Sequence, residues 1–195
     1  FLDLRPAVEV VGDVELILEE LAPRLRTGER ADWDVAELDR LKRDVTARFS
    51  VAATGLAPHR VVQIARELTP AGTIATVDAG APVLPATVFW QAVSPGEFLI
   101  SSGLATMGFA LPAAIAAQLA HPEHRVLCFS GGGGLLTAVA ELETAVRLAL
   151  PLVVVVVDDG AHARIKIKQD QRGTGEPALT DSGPDLGALA RSFGV

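Results

Sequence analysis

The sequence predicts an α/β fold with a parallel sheet that carries helices on both faces. Helix-like and strand-like segments alternate from Pro58 onward, and this alternation is typical of parallel sheets. The segment 152–157 is almost entirely valine, as expected of a strand that is buried on both faces. The loops after three of the strands are rich in glycine and aspartate, and ligands of parallel sheets bind at those strand ends.

The first 50 residues do not follow this alternation. Asp13 can cap a helix with apolar positions from Val14 to Leu25, and Asp34 can start a charged helix that reaches Phe49. We expect residues 1–25 to end a preceding domain, residues 26–54 to form a linker and an outer helix, and residues 55–195 to form the main domain. The chain is then expected to be a piece of a longer polypeptide, truncated at the C-terminus of that domain.

The main domain is predicted to begin with a helix at Pro58, because proline suits the first helical turn. The apolar patterns then predict a strand over 73–77, a helix over 111–119, a strand over 125–129, a helix over 135–150, a strand over 152–157 and a last helix over 185–193. Residues 171–184 are predicted to form a loop. The three histidines His59, His121 and His124 are expected to face solvent.

Composition excludes several classes of protein. The 17 Lys and Arg residues against 24 Asp and Glu residues give a net charge of −7, and no basic cluster forms, so we expect no nucleic-acid partner. The longest apolar stretch, 148–157, is too short for a membrane helix, so we expect no membrane partner. The single cysteine, Cys128, suits a core position in a cytoplasmic protein.

Three loops at strand ends carry the candidate chemistry. A run of four glycines follows Ser130, and its backbone N–H groups can approach an anion, for which phosphate is the predicted group. Asp158 and Asp159 follow the valine strand, and carboxylates beside a phosphate favour a bridging Mg²⁺ ion. At this point the glycines can equally form a flexible junction, and the aspartates can cap a turn.

Two common phosphate-binding motifs fit the glycine run poorly. A GxGxxG motif needs a third glycine where Leu136 stands, and a P-loop needs a lysine after the glycines. A dinucleotide-binding domain therefore remains only as an alternative interpretation.

Several motifs occur in a characteristic order along the chain. They are the segment 102–112, the glycines 131–134 with the Glu141-Leu-Glu-Thr-Ala145 segment after them, the Leu150-Pro-Leu-Val segment, and Asp158-Asp-Gly160. In this order they resemble the cofactor-diphosphate domain of thiamine-diphosphate enzymes of the acetolactate synthase and pyruvate decarboxylase group. The resemblance covers residues 55–195. It also implies that residues 1–25 end a middle domain and that an N-terminal pyrimidine-binding domain lies outside this chain.

The resemblance implies thiamine diphosphate and Mg²⁺ as cofactors. Gly132 stands where the family has a metal-binding aspartate, whereas Asp159 and the Ala161 carbonyl stand at the positions of the other protein ligands. The Ala105 carbonyl and the Met107 N–H are implied to bind the aminopyrimidine, and the Met107 side chain to hold the cofactor bent. The whole implied set of cofactor contacts is Gly80, Ala81, Ala105, Met107, Gly131, Gly132, Gly133, Gly134, Leu135, Asp159 and His162.

The resemblance also implies what the whole enzyme does. It would decarboxylate a 2-keto acid and transfer the carbanion-enamine to an acceptor, with an activating glutamate supplied by the missing pyrimidine-binding domain of the same or a partner subunit. The chain alone is therefore expected to be inactive. A homodimer or tetramer is expected, with the apolar segment 104–120 at an interface.

One alternative belongs to a different class of protein. The chain would then be a degenerate, non-catalytic paralogue that keeps the fold and the dimer interface but has weakened or lost cofactor binding. Gly132 favours this alternative because it lacks the metal-binding carboxylate. Ala81 and Pro82 favour it because they offer no polar side chain to a diphosphate.

Overall fold

A computed structural model describes residues 6–25, 33–50, 52, 55–158, 173 and 183–195. The chain divides into two compact units, Phe1–Arg40 and Leu41–Val195. In the first unit, helix α1 (Val14–Leu21) begins after Asp13, whose side chain caps the helix, and a 3-10 turn (Ala22–Arg24) follows it. Helix α2 (Val35–Phe49) contains the boundary between the two units, and it begins after Asp34, whose carboxylate accepts hydrogen bonds from two N–H groups of the first turn. Aspartate is a favourable residue at such a position because it satisfies N–H groups that have no partner within the helix.

The second unit contains a four-stranded parallel sheet. Its further elements are α3 (Pro58–Leu68), β1 (Ile74–Val77), α4 (Val83–Phe89), β2 (Phe98–Ile100), α5 (Ala110–Ala120), β3 (Val126–Gly131), α6 (Gly132–Thr137), α7 (Glu141–Arg147), β4 (Leu152–Val157) and α8 (Leu186–Ser192). The strand order is β2-β1-β3-β4, and every described pair is parallel. The predicted α/β class is confirmed.

The core lies on both faces of the sheet, because alternate side chains of the central strands point to opposite sides. On one face, Val126 and Cys128 of β3 pack with apolar residues of α5 and α7. On the other face, Leu127 and Phe129 pack with residues of α3 and α4, among them Val62 and Phe89. The predicted coverage of both faces by helices is therefore present.

Some elements differ from the sequence predictions. The helix predicted over 135–150 is two helices, because α6 ends at Thr137 and α7 begins at Glu141. Between them, Val139 packs against the core cluster beneath α5, and the interruption allows this contact. Helix α4 and strand β2 were not among the predicted elements. No helix within the described ranges is both long and apolar enough to cross a membrane.

The prediction that all three histidines face solvent is wrong for His59. It is 8% exposed and its ring lies 5.5 Å from the ring of Phe89 on α4. His59 lies three residues before the buried Val62, so both belong to the same face of α3. His121 is exposed, and Nδ1 of the half-buried His124 lies 2.7 Å from the Gly72 carbonyl oxygen.

Candidate functional site

A buried carboxyl group joins three loops at the carboxyl edge of the sheet. Asp78 directly follows β1 and is 0% exposed. Its Oδ1 accepts hydrogen bonds from the N–H groups of Phe109 and Ala110, at 2.9 and 3.4 Å. Its Oδ2 accepts a hydrogen bond from the Ser130 hydroxyl at 2.8 Å. Because these donors compensate for its removal from water, Asp78 can connect β1 with the start of α5 and the end of β3.

Gly134 leaves the space that Asp78 occupies. A Cβ atom at position 134 would overlap Asp78 Oδ2 and would lie 3.0 Å from Ser130 Oγ. Since both of these neighbours are buried and hydrogen-bonded to each other, neither can move away easily. The glycine is thus required for close packing of the first turn of α6 over Asp78.

The loop between β2 and α5, residues 101–109, lies at the same edge of the sheet. The Ser101 carbonyl accepts a hydrogen bond from the Ala105 N–H at 3.0 Å, and the Ser101 hydroxyl accepts one from the Thr106 N–H at 3.2 Å. Ala105 has a φ angle of +50°, which is uncommon for a residue other than glycine. Met107 is 41% exposed, so its side chain is not a full member of the core. Residues other than glycine with positive φ angles are frequent at ligand sites, and Ala149, in the turn before β4, has the same φ angle of +50°.

The turn after β1 lies beside the glycine turn after β3. Gly80 has a φ angle of +114° and open space at its Cβ position, and Pro82 is fully buried. A Cβ atom at Gly131 would lie 3.9 Å from Pro82 Cδ. The loop before α5 also approaches this region, since a Cβ atom at Gly108 would lie 3.0 Å from the Thr137 side chain. Three loops that are distant in sequence therefore lie next to one another at this edge of the sheet.

The glycine turn itself, residues 131–134, presents backbone without side chains. No side chain caps α6, which starts within this turn. Position 132 faces the end of the neighbouring strand, because a Cβ atom there would lie 3.0 Å from Asp158 Oδ1 and 3.4 Å from Leu186 Cδ1. Asp158 is the first residue after β4. The Asp158 carboxylate thus lies against the space that a side chain at position 132 would occupy.

The remaining predicted site residues are located as follows. Eight of them belong to the three loops at this edge of the sheet: Gly80, Ala81, Ala105, Met107 and the glycines 131–134. The Leu135 side chain is 3% exposed and belongs to the core cluster, so only its backbone can contact a ligand. Asp159, Ala161 and His162 lie outside the described residues. Within the part of the chain that the structure describes, no three His, Cys, Asp or Glu side chains converge as a metal site.

Burial makes Cys128 an inert core residue. Desolvation raises the pKa of its thiol from 9.0 to about 12, the side-chain hydrogen bond with Thr76 opposes this rise, and the negative charge of Asp78 adds to it. A thiol with so high a pKa is not a nucleophile near neutral pH. The expectation that Cys128 belongs to the core is confirmed by its complete burial.

Sequence reasoning named Asp78 and Ser130 only as loop residues, and it named Asp158 with Asp159 as an acidic pair beside a possible Mg²⁺ ion. A signal for Asp78 was present, because a carboxylate that directly follows a fully buried strand must find donors or reach water. The partners could not be read from the sequence, since Phe109 lies 31 residues from Asp78 along the chain.

Known proteins share this architecture. The family described as thiamine pyrophosphate enzyme, C-terminal TPP binding domain, matches residues 78–195. The acetolactate synthase large subunit of Haemophilus influenzae is 29% identical over 96% of this chain, and the acetolactate synthase isozyme 2 large subunit of Escherichia coli is 32% identical over 96%. The chain spans 34% of the length of each of these relatives.

A solved structure is similar over most of the chain. It is the thiamine diphosphate-dependent 4-hydroxybenzoylformate decarboxylase of Rhodococcus jostii RHA1, with a TM-score of 0.68 and 25% identity. The similarity covers 74% of this chain and 28% of that protein. The family match extends over more than half of the chain and includes all three loops of the candidate site. The chain therefore belongs to the thiamine pyrophosphate enzyme family, as a member of its C-terminal TPP-binding domain.

Proposed function

We propose that residues 55–195 bind thiamine diphosphate with Mg²⁺, as the C-terminal cofactor-binding part of an acetolactate-synthase-like enzyme. In this proposal residues 1–25 end the preceding middle domain and residues 26–54 form a linker and an outer helix. The similarity to acetolactate synthase large subunits over 96% of the chain supports this assignment. The single buried cysteine is consistent with a cytoplasmic enzyme.

The observation that carries the proposal is the side-chain-free turn at residues 131–134. It follows β3 at the carboxyl edge of the sheet, and Gly131, Gly132 and Gly133 are partly exposed, so a ligand has access to backbone that bears no side chains. Backbone N–H groups in such a turn are suitable donors to a diphosphate. Gly80, with its positive φ angle and open surroundings, would extend the same surface from the neighbouring loop.

The loop before α5 fits the other end of the cofactor. Its backbone turns sharply at Ala105, whose carbonyl would accept a hydrogen bond from the aminopyrimidine. Met107 would donate its N–H to the ring, and its partly exposed side chain would support the cofactor from below. The hydrogen bonds from Phe109 and Ala110 to Asp78 hold this loop in register with the glycine turn.

The donor set for Mg²⁺ is only partly supplied by the described residues. Mg²⁺ prefers oxygen ligands and usually retains water, so one carboxylate and a diphosphate suffice to hold it. Asp159 and the Ala161 carbonyl would be ligands by their place in the family motif, and His162 would lie close to the cofactor. Gly132 contributes no side chain to the metal.

The whole enzyme would act on a small 2-keto acid and pass the product of decarboxylation to an acceptor. When bound, thiamine diphosphate supplies an acidic thiazolium carbon that can add to a keto group and accept the electrons released with CO₂. Residues of this chain would bind and orient that cofactor. A pyrimidine-binding domain from the same or a partner subunit would supply the proton-transfer group, within a homodimer or tetramer.

Titration calorimetry of this chain with thiamine diphosphate tests the proposal. We expect binding in the presence of Mg²⁺ and loss of binding when a chelator removes the metal. Met107→Ala should weaken binding about tenfold, because it removes an apolar contact of about 1.5–3 kcal/mol, of which neighbouring side chains recover a part. Leu68→Ala, at a 78% exposed leucine of α3 outside the three loops, is the control and should leave binding unchanged.

Measuring turnover gives an independent test of the proposal that this chain binds the cofactor and another domain supplies the proton-transfer group. We expect no CO₂ release from pyruvate when this chain is supplied with thiamine diphosphate and Mg²⁺, because no residue of the chain is assigned to proton transfer. Turnover by the purified chain that disappears on chelation would contradict this part of the proposal.

A second candidate function is that of a non-catalytic paralogue with weakened or lost cofactor binding. Gly132 and the apolar Ala81-Pro82 turn favour it, since both positions lack a polar side chain near the proposed diphosphate. If the folded chain binds no thiamine diphosphate with or without Mg²⁺, the paralogue becomes the better assignment.

A further inference from the structure

Positions 132 and 158 directly follow the neighbouring strands β3 and β4, and their side chains would share one space at the end of the sheet. Gly131 pairs with Val157 in the register of β3 and β4, so residues 132 and 158 leave the sheet side by side. A Cβ atom at position 132 would lie 3.0 Å from Asp158 Oδ1 and 3.4 Å from its Cγ. The Asp158 carboxylate thus takes up the space into which a side chain at position 132 would extend.

We propose that Asp158 supplies the carboxylate that holds Mg²⁺ at the glycine turn, in place of a side chain at position 132. This inference rests on the proposed function, because the metal is expected to bind together with the diphosphate. In this arrangement the carboxylate comes from the residue after β4 and lies within 3.0 Å of the Cβ position of residue 132, which follows β3.

The chemistry of the two anions supports this assignment. A carboxylate beside a diphosphate is repulsive unless a cation lies between them. With Mg²⁺ present, the same carboxylate attracts the metal and strengthens diphosphate binding, because Mg²⁺ is bound by one or two carboxylates plus phosphate oxygens. Asp158 should therefore oppose binding of the metal-free cofactor and favour binding of the metal complex.

The arrangement also predicts the behaviour of a carboxylate introduced at position 132. In Gly132→Asp the new carboxylate meets that of Asp158 at close range, and two like charges disfavour each other. The substitution alone should improve metal-dependent binding little. Combined with Asp158→Asn, which removes the competing charge, it should give binding at least as tight as in the native chain.

The experiment is calorimetric titration of thiamine diphosphate into the full 195-residue chain. It is done once with Mn²⁺ in place of Mg²⁺ and once with chelator. Asp158→Asn should weaken binding with the metal by about 10- to 100-fold, which is the range that even outer-shell residues contribute to metal affinity. Without the metal it should bind more tightly than the native chain. Asp44→Asn, which removes an exposed charge on α2, is the control and should change neither affinity. Broadening of the amide resonances of residues 131–134 by Mn²⁺ should also be lost in Asp158→Asn.

The outcomes separate this inference from the proposed function. Opposite effects of Asp158→Asn with and without metal, together with recovery in Gly132→Asp/Asp158→Asn, support the assignment of Asp158. An unchanged affinity, or the same loss under both conditions, overturns it while the cofactor assignment stands. Absence of binding in every variant and condition overturns the proposed function and this inference with it.

Discussion

Gly134 and Gly132 both lie in α6, but a methyl group meets different neighbours at the two positions. We expect Gly134→Ala to destabilise the protein by about 1–3 kcal/mol, because its Cβ atom would overlap the buried Asp78 carboxyl group. Gly132→Ala meets the Asp158 side chain, which is exposed rather than buried, and alanine favours helix by up to about 1 kcal/mol, so we expect a smaller loss there. Urea denaturation measures both changes, and equal effects would contradict the steric explanation.

Cys128 gives a prediction about pH. Its thiol has a raised pKa of about 12 in the folded chain, so folding keeps it neutral. This contribution to stability is complete below pH 9 and is lost as the pH rises toward about 12, because the unfolded state then binds fewer protons. The unfolding free energy should fall over this range, and less steeply in Cys128→Ala.

Thiol labelling checks the same residue at neutral pH. Cys128 is the only cysteine of the chain, so each labelled molecule reports on this one position. Iodoacetamide should not react in the folded protein and should react in urea. Rapid labelling of the native chain would show that the site is accessible.

At the scale of elements, Asp78 holds together three segments that follow or precede different strands. Asp78→Ala leaves the N–H groups of Phe109 and Ala110 without their acceptor, and the Ser130 hydroxyl keeps only the Gly131 carbonyl at 3.2 Å, at about 1–3 kcal/mol for each group that stays buried and unpaired. We expect a loss of at least about 3 kcal/mol. Asp78→Asn is the matched control, since its amide can accept from Phe109 and donate to Ser130, and it should cost less.

Amide hydrogen exchange locates the effect of Asp78→Ala. The N–H groups of Phe109 and Ala110 should lose protection, because their acceptor is removed. Amides of β4, which has no hydrogen bond to Asp78 among those described, should change only with global stability. A uniform change across the sheet would contradict a local role for Asp78.

Much of the architecture could be predicted from the pattern of elements. The valine-rich β4 and the apolar stripe of α3 gave the parallel sheet and its helical layers, because periodicity reports directly on burial. Helix α4 was missed since Pro85 lies within an otherwise apolar run, although proline is tolerated in the first turn of a helix. Strand β2 was missed because it has only three residues.

The site could be predicted only as far as single loops allow. The glycines of this turn are consecutive in the sequence, so contact between the turn and a ligand could be expected from the sequence alone. The contact between position 132 and Asp158 depends on β3 and β4 being neighbours in a particular register, which no local pattern reveals. The split between α6 and α7 likewise depends on the packing of Val139 against the core.

At the scale of the whole molecule, the apolar segment 104–120 exposes less apolar surface than its composition suggests. Leu111 and Ile115 are buried against the sheet, whereas Leu104 and Leu119 are exposed. We propose that the exposed end of the segment contributes to the subunit interface. Leu104→Asp should lower the association constant in sedimentation equilibrium, and Leu68→Asp, at an exposed leucine of α3, should not. A native chain that stays monomeric at high concentration would contradict this proposal.

The position of the strands within the sheet has a consequence for how the protein opens. Both β1 and β3, which carry Asp78 and the glycine turn, have a strand on each side, whereas β4 is half-buried and Val153 is 54% exposed. Local fluctuations should therefore begin at the outer strands of the described sheet, β2 and β4, and leave the central pair intact. Strand β4, with Asp158 after it, could then separate from β3 while Asp78 keeps its hydrogen bonds to the neighbouring loops. If Asp158 holds the metal and the glycine turn holds the diphosphate, as proposed, partial unfolding would release the metal side first, and cofactor loss would take place in two kinetic steps.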